Sequence, residues 1–264
     1  PIPDLRVSAA NDCPIRRDGD YVLYWMTSFR RTEHNFALEH AVDQAVELEK
    51  PLLIFEALRC GYRWANDRLH RFVIEGMRDN QQALKDKPVT YFPYVEPSQG
   101  AARGLLQRLA KHASLVVTDE YPCFFLPALI EAVKDRLDVR LELVDSNGVL
   151  PLRLADRTFS VAHSYRRWMQ KNVLDHLLEQ PKKNPLSRRK LSQLKDLPKQ
   201  VARKWPPADF DSLLEQQGLA KLPIDHSVRP DDRIRGGAEE AAKRLDRFVH
   251  ELLEDYGEDR NHPD

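Results

Sequence analysis

The sequence predicts an α/β protein built on a doubly wound, mostly parallel sheet, and three observations carry that reading. Short apolar runs of strand type recur through residues 1–150, amphipathic segments of helical period separate them, and turn residues close the junctions. Such alternation calls for right-handed crossovers, which set helices on both faces of the sheet and bury its strands from two sides.

The organising unit runs from Tyr21 to Leu58. Tyr21–Met26 (YVLYWM) reads as a strand, Thr27–His34 as a charged loop, and Leu52–Leu58 (LLIFEAL) as a second strand. Between them Ala37, Leu38, Ala41, Ala45, Val46 and Leu48 recur near the helical period and predict a helix with one buried face. Trp64–Lys85 carries a second stripe of Leu69, Phe72, Val73, Gly76 and Met77, with Asn66 or Asp67 at its start. Val89–Val95 is strand-like, and its Pro93 belongs at a strand end or on an edge. Gly104–His112 is a short helix, Ser114–Thr118 a buried strand, Asp119–Pro122 a polar turn, and Phe124–Leu137 a helix. Val139–Val144 alternates and stops at Asp145, Ser146, Asn147 and Gly148. Five strands alternating with helices thus give a Rossmann-like domain over residues 1–158.

Beyond it, Val161, Tyr165, Trp168, Met169, Val173 and Leu177 form the stripe of a helix within Phe159–Leu178. From Pro181 to Pro230 periodicity fades, and seven of the 18 prolines fall here, as expected of a connector that wraps a surface. A strong helix follows, Ala238–Gly257, with Gly257 as its stop. Residues 159–234 are read as helix and connector, and 235–264 as the first helix of a further, all-helical domain.

Composition narrows function. Lys+Arg and Asp+Glu both total 41, so net charge favours neither nucleic acid, membrane nor acidic ligand. Locally, Lys182–Lys204 holds nine basic residues against one acid, a candidate DNA-phosphate contact whose simpler reading is a solvated linker. Cys13, Cys60 and Cys123 are odd in number and lack CxxC spacing, which suits a reducing compartment. No run approaches membrane-spanning length, and the opening PIPDLRVSAA is not a signal peptide; the expectation is a cytoplasmic monomer. The sequence has no GxGxxG, GxxxxGK[ST], HExxH or GxSxG, and its histidines are scattered, so dinucleotide, NTP, zinc-protease and serine-hydrolase chemistries lose their motifs.

Ligands of open α/β sheets gather at the carboxyl ends of the strands. Trp25, Met26, Arg31, Asp119 and Glu120 cluster there as a candidate pocket. The surrounding wording resembles the start of class II DNA photolyases and, more loosely, the photolyase/cryptochrome superfamily. Tyr24, Trp25, Met26, Thr27, Arg31, Asn35, Ala37 and Leu38 fit its pattern, while Phe29 and His34 stand where acids are usual. Arg71-Phe72 with Gly76-Met77, Val117-Thr118-Asp119 with Pro122, and Val144-Asp145 with Pro151 resemble further family segments in the same order.

The resemblance implies a light-driven enzyme that splits cyclobutane pyrimidine dimers in damaged DNA by electron transfer from reduced FAD. Met26, Asp119 and Glu120 would border an antenna chromophore of deazaflavin or folate type. The final stretch, with Tyr256, Arg260, Asn261 and Pro263, resembles the end of the first helix of the flavin domain. By that likeness Tyr256 would line the flavin phosphates, and Arg260 and Asn261 would face the DNA lesion. The rest of the flavin site would lie past Asp264, so the chain is expected to be a fragment, inactive alone. Alternatives are a non-enzymatic chromophore- or nucleotide-binding module and a cryptochrome-like light sensor.

Overall fold

The computed structural model describes residues 2–187 and 189–262. A six-stranded sheet forms the centre. Its strands are β1 (Val7–Ala9), β2 (Tyr21–Met26), β3 (Leu52–Leu58), β4 (Thr90–Val95), β5 (Ala113–Glu120) and β6 (Leu141–Asp145), in spatial order β1-β6-β5-β2-β3-β4. All neighbours are parallel except β1 and β6. The sheet therefore has one strand more than sequence patterning finds. β1 is three residues long, too short to show alternation, and its strand pairing is with β6.

Strand pleating divides the core in two. Tyr21, Leu23 and Trp25 of β2 point to one face, where they meet Leu105 and Leu109 of α3 (Leu105–Ala110) and Val133 of α4 (Leu126–Lys134). Val22, Tyr24 and Met26 point to the other, against Phe36, Leu38, Ala41 and Val42 of α1 (Phe36–Glu47). Asn35 caps α1, its side-chain oxygen accepting the Leu38 N–H at 3.0 Å.

Asn66 caps α2 (Asp67–Leu84) in the same way. The buried face of α2 is His70, Ile74, Met77 and Leu84, rotated from the expected stripe, for Leu69 and Phe72 are exposed. The rotation follows from two partners: α2 packs on the sheet and also on Phe210, Leu219 and Leu222 of the connector.

That connector does more than wrap a surface. It contributes α6 (Lys199–Lys204) and α7 (Phe210–Leu214), and it buries Leu186, Val201, Trp205 and Phe210 in the clusters on both sheet faces and around α2. Its basic run is also tethered. Lys182 pairs with Glu39 at 2.5 Å, Arg189 pairs with Asp43, and both acids lie on α1. It closes the outer edge of β4 as well, where Pro93 has no N–H to offer and its carbonyl accepts the Ala208 N–H at 2.9 Å.

Two helices behave differently from expectation. α5 (Ala162–Asn172) buries no residue, so its apolar stripe faces outward. The last helix is three pieces, α8 (Ala238–Arg247), a π-helical turn at Phe248–Leu252, and α9 (Tyr256–Asp259); Gly257 lies inside α9 rather than ending it. α8 starts from a tight contact with α2. A Cβ on Gly236 would lie 1.8 Å from the Phe72 carbonyl oxygen, and the Gly236 N–H donates to Glu75 at 2.9 Å.

Candidate functional site at the sheet switch point

Strand order reverses between β2 and β5: the chain leaves β2 toward β3 and β4, then crosses back to β5 and β6 on the other side. The crevice at such a reversal, past the strand carboxyl ends, is where this architecture binds ligands. Here it lies between the loop Thr27–His34 and the segment that follows Glu120.

Its floor is a carboxylate. Asp119 is the penultimate residue of β5 rather than the start of a turn, is almost fully buried, and accepts three successive backbone N–H groups on one oxygen: Thr27 at 2.8 Å, Ser28 at 2.7 Å and Phe29 at 3.1 Å. Its other oxygen accepts the Tyr24 hydroxyl at 2.7 Å. Asn35 in turn donates to the Tyr24 oxygen at 3.0 Å and to the carbonyls of Phe29 and Arg31. Three N–H groups converging on one anion form a nest, and here the protein's own side chain fills it. Burial, with the neighbouring Asp119 carboxylate opposing ionisation, raises the Tyr24 phenol well above its ordinary range and keeps it a donor.

A second buried carboxylate fixes the side of the same loop. Glu56, in the middle of the apolar β3, accepts Arg30 at 3.0 Å, Asn80 at 3.0 Å and Tyr91 at 2.5 Å, and it is fully enclosed. Arg30 also donates to the Ala57 carbonyl at 2.7 Å. Burial first, then the charge of Glu56, drives the Tyr91 hydroxyl far above its usual value. The one charge in LLIFEAL was the sequence signal for this network.

The rim is aromatic. Phe29 meets Tyr121 edge-on at 6.2 Å, Tyr121 stacks with Phe124 at 6.3 Å, and the Arg31 guanidinium lies 5.2 Å from the Phe29 ring centre. Phe124 is 77% exposed and holds a left-handed backbone at φ 60°, an uncommon state for an aromatic. Sequence reading noted Phe29 only as a departure from the family pattern and did not single out Tyr121 or Phe124, although YPCFF puts three aromatics directly after a strand end.

Of the residues expected to border a pocket, Met26 is fully enclosed under α1, Trp25 is buried on the opposite face, and Asp119 serves the loop. Glu120 forms an ion pair with Arg153 at 2.6 Å; burial raises its carboxyl and Arg153 opposes that. Arg31 reaches the mouth, donating to the His34 carbonyl. Tyr256 is half exposed on α9, edge-on to Phe248 at 5.5 Å, and Arg260 and Asn261 are exposed just beyond it. Among the described residues none of these three bonds to the switch-point cluster, and Pro263 lies outside the described residues.

The motif segments noted in the sequence converge on turn locks. Tyr24 and Asn35 brace the nest that Asp119 fills, Thr118 donates to the Trp25 carbonyl at 2.7 Å, and Asp145 accepts the N–H groups of Asn147 and Leu152.

Comparison with known proteins agrees. The deoxyribodipyrimidine photo-lyase of Methanothermobacter thermautotrophicus is 26% identical over 246 residues, covering 93% of this chain and 50% of that protein. The deoxyribodipyrimidine photo-lyase of Arabidopsis thaliana is 27% identical over 250 residues, covering 92% and 47%. The chain thus spans about half the length of these curated relatives. In fold it resembles a bacterial class III photolyase from Agrobacterium tumefaciens, with a TM-score of 0.61 at 19% identity over 91% of this chain and 46% of that one. Residues 22–186 match the DNA photolyase family model, a stretch that begins in β2, takes in the whole switch-point site and ends at the buried Leu186; the chain belongs to the DNA photolyase family.

Proposed function

We propose that the protein serves light-driven repair of DNA, as part of a deoxyribodipyrimidine photolyase of class II type that splits cyclobutane pyrimidine dimers. The observation that carries this reading is the family match across residues 22–186, which encloses a switch-point crevice with an aromatic rim. The class II assignment rests on Tyr24–Thr27, Arg31, Asn35, Ala37 and Leu38.

The crevice suits a flat antenna chromophore of deazaflavin or folate type. Phe29, Tyr121 and Phe124 offer faces and edges for stacking, and Arg31 offers donors for a carboxylate or phosphate. The filled nest supports this geometry by holding the loop that carries Phe29 and Arg31. Met26 and Asp119 therefore act from beneath as supports, and Glu120 acts from the side. We assign residues 1–158 to the antenna domain, 159–234 to the connector and 235–264 to the start of the flavin domain.

FAD, when bound, supplies the photoexcited electron that opens the cyclobutane ring. In this chain the phenol of Tyr256 would face its phosphates, while Arg260 and Asn261 would meet the lesion; all three are accessible, and their donor types fit those partners. Reaching a dimer inside a duplex requires flipping it out of the stack.

The test is an absorption and fluorescence spectrum of the purified protein, native and after denaturation, with Phe29→Ala and Tyr121→Ala beside it. A chromophore that is released on denaturation and lost in both variants supports the site. A chromophore retained in both places it elsewhere. Dimer repair under blue light by the protein carrying its helical flavin domain, and none in the dark, supports the reaction; light-independent or absent repair overturns it.

A further inference from the structure

A minority of the cations of this protein are neutralised at home, ten of them by ion pairs among the described residues. Arg30, Arg71, Lys134, Lys182, Arg189, Arg244 and Arg247 each pair with a carboxylate. The segment 157–174, bounded by Asp156 and Asp175, holds no such pair among the described residues. It carries Arg157, Arg166, Arg167 and Lys171, all exposed, and contains no acid; among the described residues none of the four forms an ion pair.

The same segment displays an outward aromatic cluster. Phe159 contacts Tyr165 and Trp168, each at 5.4 Å, and Tyr165 lies nearly parallel to Trp168 at 5.9 Å and 26°. Arg157 sits 5.2 Å from the Phe159 ring centre. Tyr165 is 43% exposed, and α5 buries no residue. At 100° per residue, Tyr165, Trp168 and Met169 share one face of α5, Lys171 flanks it on one side and Arg166 on the other, and Arg167 lies on the opposite face.

We propose that this face of α5 is a docking surface for single-stranded DNA that requires no lesion. Rings stacked at a surface continue a stack of bases, and flanking cations without carboxylates track a phosphate backbone. Charge complementarity selects this occupant. A second copy of the chain would bring two uncompensated cation sets together. A lipid surface wants a broad aliphatic face, whereas α5 contains no Leu or Ile. The choice of a deoxyribose strand rests on the repair function proposed above; the surface argument does not. The surface lies apart from Lys182 and Arg189, which α1 already holds.

The test is fluorescence anisotropy in the dark with a fluorescein-labelled, undamaged oligothymidylate across a salt series. It needs no flavin and no dimer, so failure here leaves the repair reading intact, and failed repair leaves this surface standing. Three phosphate contacts, from Arg157, Arg166 and Lys171, give a slope of log K against log salt of roughly −2 for a single strand. Trp168→Ala weakens binding by roughly tenfold, in the range of one lost base stack. Arg166→Ser with Lys171→Ser makes the slope shallower by roughly 1.4. If Trp168→Ala disturbs the fold by circular dichroism, Tyr165→Ala and the Arg166/Lys171 pair carry the test, since all change exposed side chains. Absent binding at low salt, or a slope and affinity indifferent to these substitutions, overturns the proposal. So does Trp168-dependent binding to phosphatidylserine vesicles that the oligonucleotide fails to compete away.

Discussion

Removing the carboxylate of Asp119 is the sharpest perturbation of the switch point. Asp119→Ala leaves its four closest donors without their acceptor, the amides of Thr27, Ser28 and Phe29 and the hydroxyl of Tyr24, besides the longer bond from the Thr27 hydroxyl. An unpaired buried donor costs about 1–3 kcal/mol. Taking the low end for the three half-buried amides and the middle for the enclosed phenol gives about 5 kcal/mol, a large share of a typical total of about 5–15 kcal/mol. Asp119→Asn keeps an oxygen for the amides but turns an NH2 toward Tyr24, for a loss of about 1–2 kcal/mol. Urea unfolding measures both values, and trypsin measures the loop, because Arg30 and Arg31 become cleavable once the nest opens. A loss below about 1 kcal/mol for Asp119→Ala, with Arg30 and Arg31 still protected, would refute the claim that this carboxylate holds the rim in place.

Three further outcomes are expected. Tyr91→Phe removes the 2.5 Å bond to Glu56 while Arg30 and Asn80 stay, so unfolding measurements lose about 1.5–3 kcal/mol, the range for a bond to a charged group. Gly236→Ala forces a Cβ onto the Phe72 carbonyl and breaks the bond to Glu75; hydrogen exchange then rises through α8 while the sheet keeps its protection. The control Gly257→Ala, with no atom within 4 Å of the added Cβ, leaves exchange in α8 unchanged. Cys60 is held up to about 11, against an ordinary 9.0, by burial first and by Glu96 next. Its neutral thiol is thus favoured in the folded state: the contribution is complete below pH ~9 and is lost as pH rises toward ~11. At about 1.4 kcal/mol per unit that is about 2–3 kcal/mol, and a Cys60→Ala protein that loses stability over this window as steeply as the parent contradicts it.

Much of the fold was legible because its signals are local. β2, β3 and α1 are dense in apolar residues at the right period, and Pro93 marked the edge position that β4 takes. What escaped depends on partners distant in sequence. β1 takes its strand pairing from β6, more than 130 residues away, and the buried face of α2 is set by Phe210 and Leu222 of a connector whose own pattern is too irregular to read. The site divides the same way. Tyr24, Asn35 and Asp119 stood out as family wording, yet their work is to lock a loop. The aromatic rim is less regular in sequence, and Phe29 registered only as a departure from the usual acid. Local motif matching found the scaffold of the crevice more readily than the surface a ligand would touch.

The closed margins of the sheet have a consequence for behaviour at high concentration. A parallel sheet invites a foreign strand wherever a row of amides and carbonyls lies open. On one margin this protein ends in a three-residue strand; on the other, a proline interrupts the donors and a connector amide takes the carbonyl beside them. Neither margin offers a template long enough for a new strand to register. Growth into cross-β aggregates would therefore have to begin by peeling Ala208 and its neighbours from β4, so the connector acts as a gatekeeper of solubility as well as a tether between parts of the chain.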